Sequence, residues 1–183
     1  MEHEDYMRAA IALAAQAAQA GEVPVGCVIV RAGEIVGFGR NRREERQSTA
    51  AHAEMEAIAM ANERLGAWRL DDCTLYVTLE PCPMCAGAIL NARIPRIFFG
   101  ARDASMGACG GVFNLYMERF APAPAVVGGV LGEGCGQLLE IFFRALRQKG
   151  TEKGRLHSAG GPFCRLTKND RSYIIKSVET QPP

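Results

Sequence analysis

CTLYVTLEPCPMCAGAILNA, residues 73–92, is the stretch on which the architecture turns. Cys73 to Leu79 is a nearly unbroken apolar run with β-branched and aromatic side chains, the pattern of a buried strand. Pro81 and Pro83 then bracket Cys82, and helix-forming residues run from about Met84 to Ala92. Proline is tolerated in the first turn of a helix, where its missing N–H would have no partner. Arg96 to Gly100 follows as a further short strand.

Upstream of this unit, Val25 to Val30 and Ile35 to Phe38 are two strand-like runs joined by the turn Ala32-Gly33, which predicts a hairpin. Asp5 to Ala20 predicts a helix stopped by Gly21, with Met7, Ile11 and Ala14 to Ala18 as its apolar face. Asn41 to Thr49 is polar and predicts a loop. Ala51 to Leu65 predicts a helix with Met55, Ile58, Ala59 and Asn62 on one side. Downstream, Asp103 to Gly111 predicts a small-residue loop, Ala125 to Leu131 a last strand and Gln137 to Lys149 a last helix. Strands alternating with helices after an opening hairpin predict an α/β fold: a three-layer α/β/α sandwich around a mixed sheet of about five strands. Residues 1–149 form the expected domain. Gly154, Gly160, Gly161 and Pro162 mark 150–183 as a tail of different character, in which Ser172 to Val178 could form an isolated strand.

The chain has 183 residues, 48% hydrophobic and 22% charged, with a net charge of +1, as expected for one globular domain. Charge is unevenly spread. Residues 1–90 carry 8 Lys/Arg against 13 Asp/Glu, and residues 91–183 carry 13 against 7. A basic end can steer an anion such as RNA, although taken alone a solvated charged helix and tail is the better reading of it. Seven cysteines, of which only Cys82 and Cys85 are close in sequence, do not form a disulfide framework. Glu2, Glu4 and Asp5 precede the Ala-rich start where a signal peptide would be basic. No run is apolar enough to span a membrane. A cytoplasmic protein is expected.

Cys82-Pro83-Met84-Cys85 alone admits zinc ligands, a redox pair or two core cysteines. Of the three histidines, His3 and His157 lie in polar segments, while His52 opens a predicted helix in Ala51-His52-Ala53-Glu54. One His and two Cys make a three-ligand zinc site with a fourth position for water. Cys27, Cys73 or Cys109 could instead close the site and make it structural. Both ligand clusters start helices, whose positive ends favour thiolates. Glu54, two residues after His52, sits where a carboxylate can move the protons of a metal-activated water.

His52-Ala53-Glu54 followed by Pro81-Cys82-Pro83-Met84-Cys85 is the zinc deaminase signature. From about Asp5 to Lys149 the chain resembles the bacterial tRNA-specific adenosine deaminase family, within the cytidine deaminase-like superfamily. Further stretches carry the likeness: residues 21–26 (GEVPVG), 41–42 (NR), 75–82 (LYVTLEPC), 99–104 (FGARDA) and 142–144 (FFR). The resemblance implies hydrolytic deamination of the wobble adenosine of an arginine tRNA anticodon to inosine. It implies one Zn2+ per subunit held by His52, Cys82 and Cys85, with Glu54 as catalytic proton carrier. Asn41 would bind the flipped purine, and Val23, Val25 and Leu79 would form its apolar pocket. Asp103 would contact a flanking nucleotide, and Phe143, Arg144 and Arg147 the anticodon loop. The partners implied are tRNA and a second copy of the chain, as a homodimer. Ser48-Thr49-Ala50-Ala51 and Ser105-Met106 depart from the family pattern, the second losing a lysine that could meet phosphate. A guanine, cytosine or cytidine deaminase with the same metal site is the alternative, and a catalytically silent RNA-binding subunit a second.

Overall fold

The computed structural model describes residues 2–120 and 122–157, with the backbone alone from 149. Five strands form in chain order: β1 (Gly26–Arg31), β2 (Glu34–Arg40), β3 (Cys73–Leu79), β4 (Arg96–Ala101) and β5 (Ala125–Gly128). The helices are α1 (His3–Gln19), α2 (Arg43–Arg46), α3 (Ala53–Leu65), α4 (Pro83–Asn91) and α5 (Gly132–His157). The sheet order is β2-β1-β3-β4-β5, so the decisive strand β3 lies at its centre. β1 is antiparallel to both β2 and β3, while β4 is parallel to β3 and β5 to β4. The sheet belongs to the first of two units, Met1–Gln148; the second is Lys149–Pro183.

Strand side chains alternate between the two faces. Cys27, Ile29, Leu75 and Val77 pack with Ala53, Ala57 and Ala61 of α3 and with Ala86 and Ile89 of α4. Val28, Val30 and Tyr76 pack on the opposite face with Tyr6, Met7 and Ala10 of α1 and with Cys135 of α5. The result is the expected α/β/α sandwich on a mixed five-stranded sheet.

α3 approaches the sheet closely because β2 presents glycine to it at two positions. A Cβ at Gly37 would lie 2.3 Å from the Ala57 carbonyl oxygen, and one at Gly39 2.4 Å from that of Ala53. This contact fixes the height of residue 52 above the sheet. Gly39→Ala is expected to destabilise the protein by roughly 1–3 kcal/mol, the cost of overpacking a filled core. Thermal unfolding checks this, and an unchanged Tm would show that α3 has room to move.

Some sequence expectations need correction. The buried face of α3 is Ala53, Glu54, Ala57, Ile58 and Ala61, whereas Ala59 faces solvent. The loop Asn41–Thr49 contains the single-turn helix α2. β5 stops at Gly128, three residues before Leu131, and Gly129 then turns the chain with φ of 87°. α5 begins at Gly132, not Gln137, and runs past Lys149 to His157. Three glycines in its first turns disguise it, but the buried Cys135 anchors it. The possible strand Ser172–Val178 lies outside the described residues. Among the described residues no helix is long and apolar enough to cross a membrane.

Candidate active site

His52 and Cys82 occupy equivalent places, the N-cap positions of α3 and α4, both with extended backbone. Neither side chain makes the usual capping hydrogen bond. They turn instead toward one point. His52 Nδ1 lies 3.8 Å from Cys82 Sγ and 3.5 Å from Cys85 Sγ. Bonds of about 2.0–2.3 Å to a tetrahedral centre would hold such donors roughly 3.5–3.8 Å apart. Spacing and donor chemistry therefore fit a metal ion, and among the described residues no other side chain joins this group.

The electrostatics agree. Hydrogen bonding with the Cys85 thiol, and then with His52, draws the Cys82 thiol down to about 4 despite its burial. His52 is shifted upward, chiefly by the Cys82 sulfur beside it. Cys85 is fully buried, and its hydrogen bond with Cys82, then burial, shift its thiol well upward, with Cys82 taking the larger share of negative charge. Glu54, one residue inside α3, is only 4% exposed. Burial pushes its carboxyl up to about 7, where a carboxyl group can accept and donate protons at neutral pH.

A cavity of about 210 Å³ opens onto His52, Glu54 and Cys82. Val23, Val25 and Leu79 supply its apolar wall, and Asn41, Arg43, Glu80 and Asp103 add polar groups. This is smaller than the roughly 300–1,000 Å³ of pockets that enclose drug-sized ligands, and it suits a single heterocycle entering from a larger molecule. A larger hollow of about 590 Å³ beside Phe99, Arg102 and Val126 contains none of the metal-binding group. Phe143, Arg144 and Arg147 lie on α5 and do not line the cavity at the metal group. Phe143 is exposed beside Phe142, and Arg144 pairs with Glu140 at 2.6 Å.

Two buried glutamates that sequence reasoning left without a role hold the cavity's polar groups. Glu22 is 1% exposed. Its carboxylate accepts from the backbone N–H of Glu44 at 3.2 Å and of Glu45 at 2.7 Å, and from Asn41 Nδ2 at 3.4 Å. The amide of Asn41 is thereby oriented, and α2 is tied to the pocket rim. Glu80, at the end of β3, does the same for loop 103–111 through the N–H groups of Asp103, Cys109 and Gly111. The available signal was a glutamate inside an apolar stretch, since a carboxylate is rarely buried without several donors. Asp103 itself caps a turn: its Oδ1 accepts from Ser105 N, Ser105 Oγ and Met106 N. Burial opposes its ionisation, but these bonds together outweigh burial and hold the carboxyl below the usual range.

Comparison with known proteins adds independent findings. A family model described as MafB19-like deaminase matches residues 1–147. The tRNA-specific adenosine deaminase of Bacillus subtilis (strain 168) is 51% identical over 147 residues, covering 80% of this chain and 91% of that protein. A structure solved in a study of A-to-I editing by tRNA:A34 deaminases at the wobble position of transfer RNA has 40% identity and a TM-score of 0.70. It covers 74% of this chain and 99% of its own. Guanine deaminase from Bacillus subtilis has 44% identity and a TM-score of 0.54, over 56% of this chain and 66% of its own.

Proposed function

The chain belongs to the family of tRNA-specific adenosine deaminases, and we propose that it converts the wobble adenosine of a tRNA anticodon to inosine at the His52, Glu54, Cys82 and Cys85 cluster. The observation that carries this is the joining of a three-donor metal group, a buried carboxyl and a base-sized cavity at two helix starts. Zinc is the metal that His and two Cys suit best, one ion per subunit. When bound, it supplies a water acidic enough to attack carbon at neutral pH.

The chain's own residues do the rest. Asn41 and the apolar wall of Val23, Val25 and Leu79 hold an adenine swung out of its stack, which costs least in a single-stranded loop. Glu54 takes a proton from the attacking water and delivers it to N1 of the base as C6 is attacked. It then passes a proton to the departing amine, so adenosine and water give inosine and ammonia. Asp103 Oδ2, which the turn does not use, faces a flanking nucleotide. Phe143, Arg144 and Arg147 meet the anticodon loop, which we take to be that of an arginine tRNA. Residues 1–149 form the catalytic domain and 150–183 an appended tail. Exposed Val112, Phe113, Met117 and Phe120 offer an apolar surface that a homodimer would bury. The thiols present suit a cytoplasmic location.

The test is inosine formation in an arginine tRNA anticodon stem-loop, with guanine and cytidine as parallel substrates. Inosine at the wobble position supports the proposal. Ammonia from guanine or cytidine alone would keep the chemistry and remove RNA as substrate; no turnover by zinc-loaded protein would favour a silent RNA-binding subunit. Glu22→Ala is expected to lower kcat/KM on that stem-loop by roughly 10–100-fold, because hydrogen bonds to a charged partner contribute about 1.5–3 kcal/mol. Unchanged kinetics would mean that Asn41 needs no orientation.

A further inference from the structure

Loop 103–111 is wrapped around one carboxylate. Glu80 is 2% exposed and lines the cavity beside Asp103. Its Oε1 accepts from Cys109 N at 2.9 Å and Gly111 N at 2.7 Å, and its Oε2 accepts from Asp103 N at 3.1 Å. The loop's glycines make this approach possible. A Cβ at Gly107 would lie 2.5 Å from Glu80 Cδ, and one at Gly111 2.6 Å from Oε2. Arg102, before the loop, lies 4.0 Å from Oε2 and donates to the Gly110 carbonyl at 3.0 Å, bracing the far side. The chemistry described above gives Glu80 no part in proton transfer or metal binding. A carboxyl side chain buried at the pocket wall with three converging backbone donors is therefore a mechanical device.

We infer that Glu80 is a positioning residue for the RNA substrate: it fixes the loop at three backbone points and so sets the Asp103 carboxylate at the pocket mouth, where a flanking nucleotide is gripped. The inference rests on the RNA-contact role proposed for Asp103. The division of labour between the two oxygens makes it specific. In Glu80→Gln, the remaining oxygen can serve Cys109 and Gly111 while the new amide faces the N–H of Asp103, donor against donor. The anchor at 103 is lost and the anchors at 109 and 111 remain.

The experiment measures steady-state kinetics on the anticodon stem-loop for zinc-loaded wild type, Glu80→Gln, Asp103→Asn and the double variant, with amide hydrogen exchange across the loop. Glu80→Gln is expected to raise KM about tenfold, the loss of one hydrogen bond to a charged group, with a change in kcat below about threefold and full zinc content. Exchange should quicken at the Asp103 amide and not at Cys109 or Gly111. The double variant should be no worse than Asp103→Asn, because both changes remove one contact. Independent, additive losses would overturn the inference, as would a loop whose exchange is unaltered. If Asp103→Asn leaves KM unchanged, the RNA-contact role of Asp103 fails first, and exchange at residue 103 alone decides whether Glu80 holds the loop. Should Glu80→Gln not fold, Glu80→Asp shortens the side chain, draws its oxygens back from the loop amides and should raise KM in the same way; normal KM there overturns the inference.

Discussion

Glu54→Ala is expected to lower kcat for inosine formation by about 10³–10⁴-fold while zinc content and fold persist. Loss of a positioned acid–base group removes up to about 10⁴-fold of rate, which is roughly 5 kcal/mol of barrier at 1.36 kcal/mol per decade. Glu54 stands near the top of that range because the proposed mechanism gives it at least two proton transfers in one cycle, first to N1 and then to the amine. Its burial shuts out bulk water as a substitute. The carboxyl lies outside the metal-ligand group, so metal retention separates a chemical defect from a folding one. Inosine assayed by digestion and chromatography, with zinc by atomic absorption, reads both. Turnover within tenfold of wild type would remove Glu54 from the proton path. Glu54→Gln, which keeps the shape and loses the ionisation, should be nearly as inactive as Glu54→Ala.

Removal of the metal is expected to abolish turnover and to lower Tm, and zinc should restore both. A ligand that binds only the folded state stabilises it by about 4 kcal/mol at a thousandfold excess over its Kd. The structural reason for the Tm effect is local. N-cap side chains ordinarily satisfy an orphan N–H at a helix start, with a typical worth of about 1 kcal/mol. Here His52 and Cys82 make no such bond, so the starts of α3 and α4 depend on being tied together. Cys85→Ser should copy the chelated protein: low zinc, no inosine and a Tm that zinc no longer raises. Full activity after exhaustive chelation would overturn the metal assignment, and full activity in Cys85→Ser would remove Cys85 from the ligand set.

The parts of the fold legible in the sequence were those carried by periodicity and by proline. β1 and β3 came from apolar runs rich in β-branched residues, β4 from the apolar Ile97-Phe98-Phe99, and the start of α4 from Pro83 at its first turn. The grouping of His52, Cys82 and Cys85 was legible because these residues sit beside helix starts, where local signals are strongest. What was not legible depends on contacts between distant elements. The inward face of α3 is alanine, chosen by the bare glycines of β2, and an alanine row carries little periodic signal. The start of α5 is written in glycine, and only the burial of Cys135 against the sheet explains a helix there. Glu22 and Glu80 each meet backbone donors more than 20 positions away, which no local pattern announces.

The antiparallel pairing of β1 with β3 joins segments that are 50 positions apart where Cys27 meets Val77 and 42 apart where Arg31 meets Cys73. Closing so long a loop is entropically costly and slow compared with forming the β1–β2 hairpin or the helix between β3 and β4. That pairing also brings the hairpin side of the cavity, Val23, Val25 and Asn41, to the side carrying Leu79 and Cys82. A nascent chain therefore carries the cavity as two separate halves, neither of which could hold the base that the proposed function places there. They become one when the central seam of the sheet zips, so competence to edit should arrive as a late, cooperative event in folding.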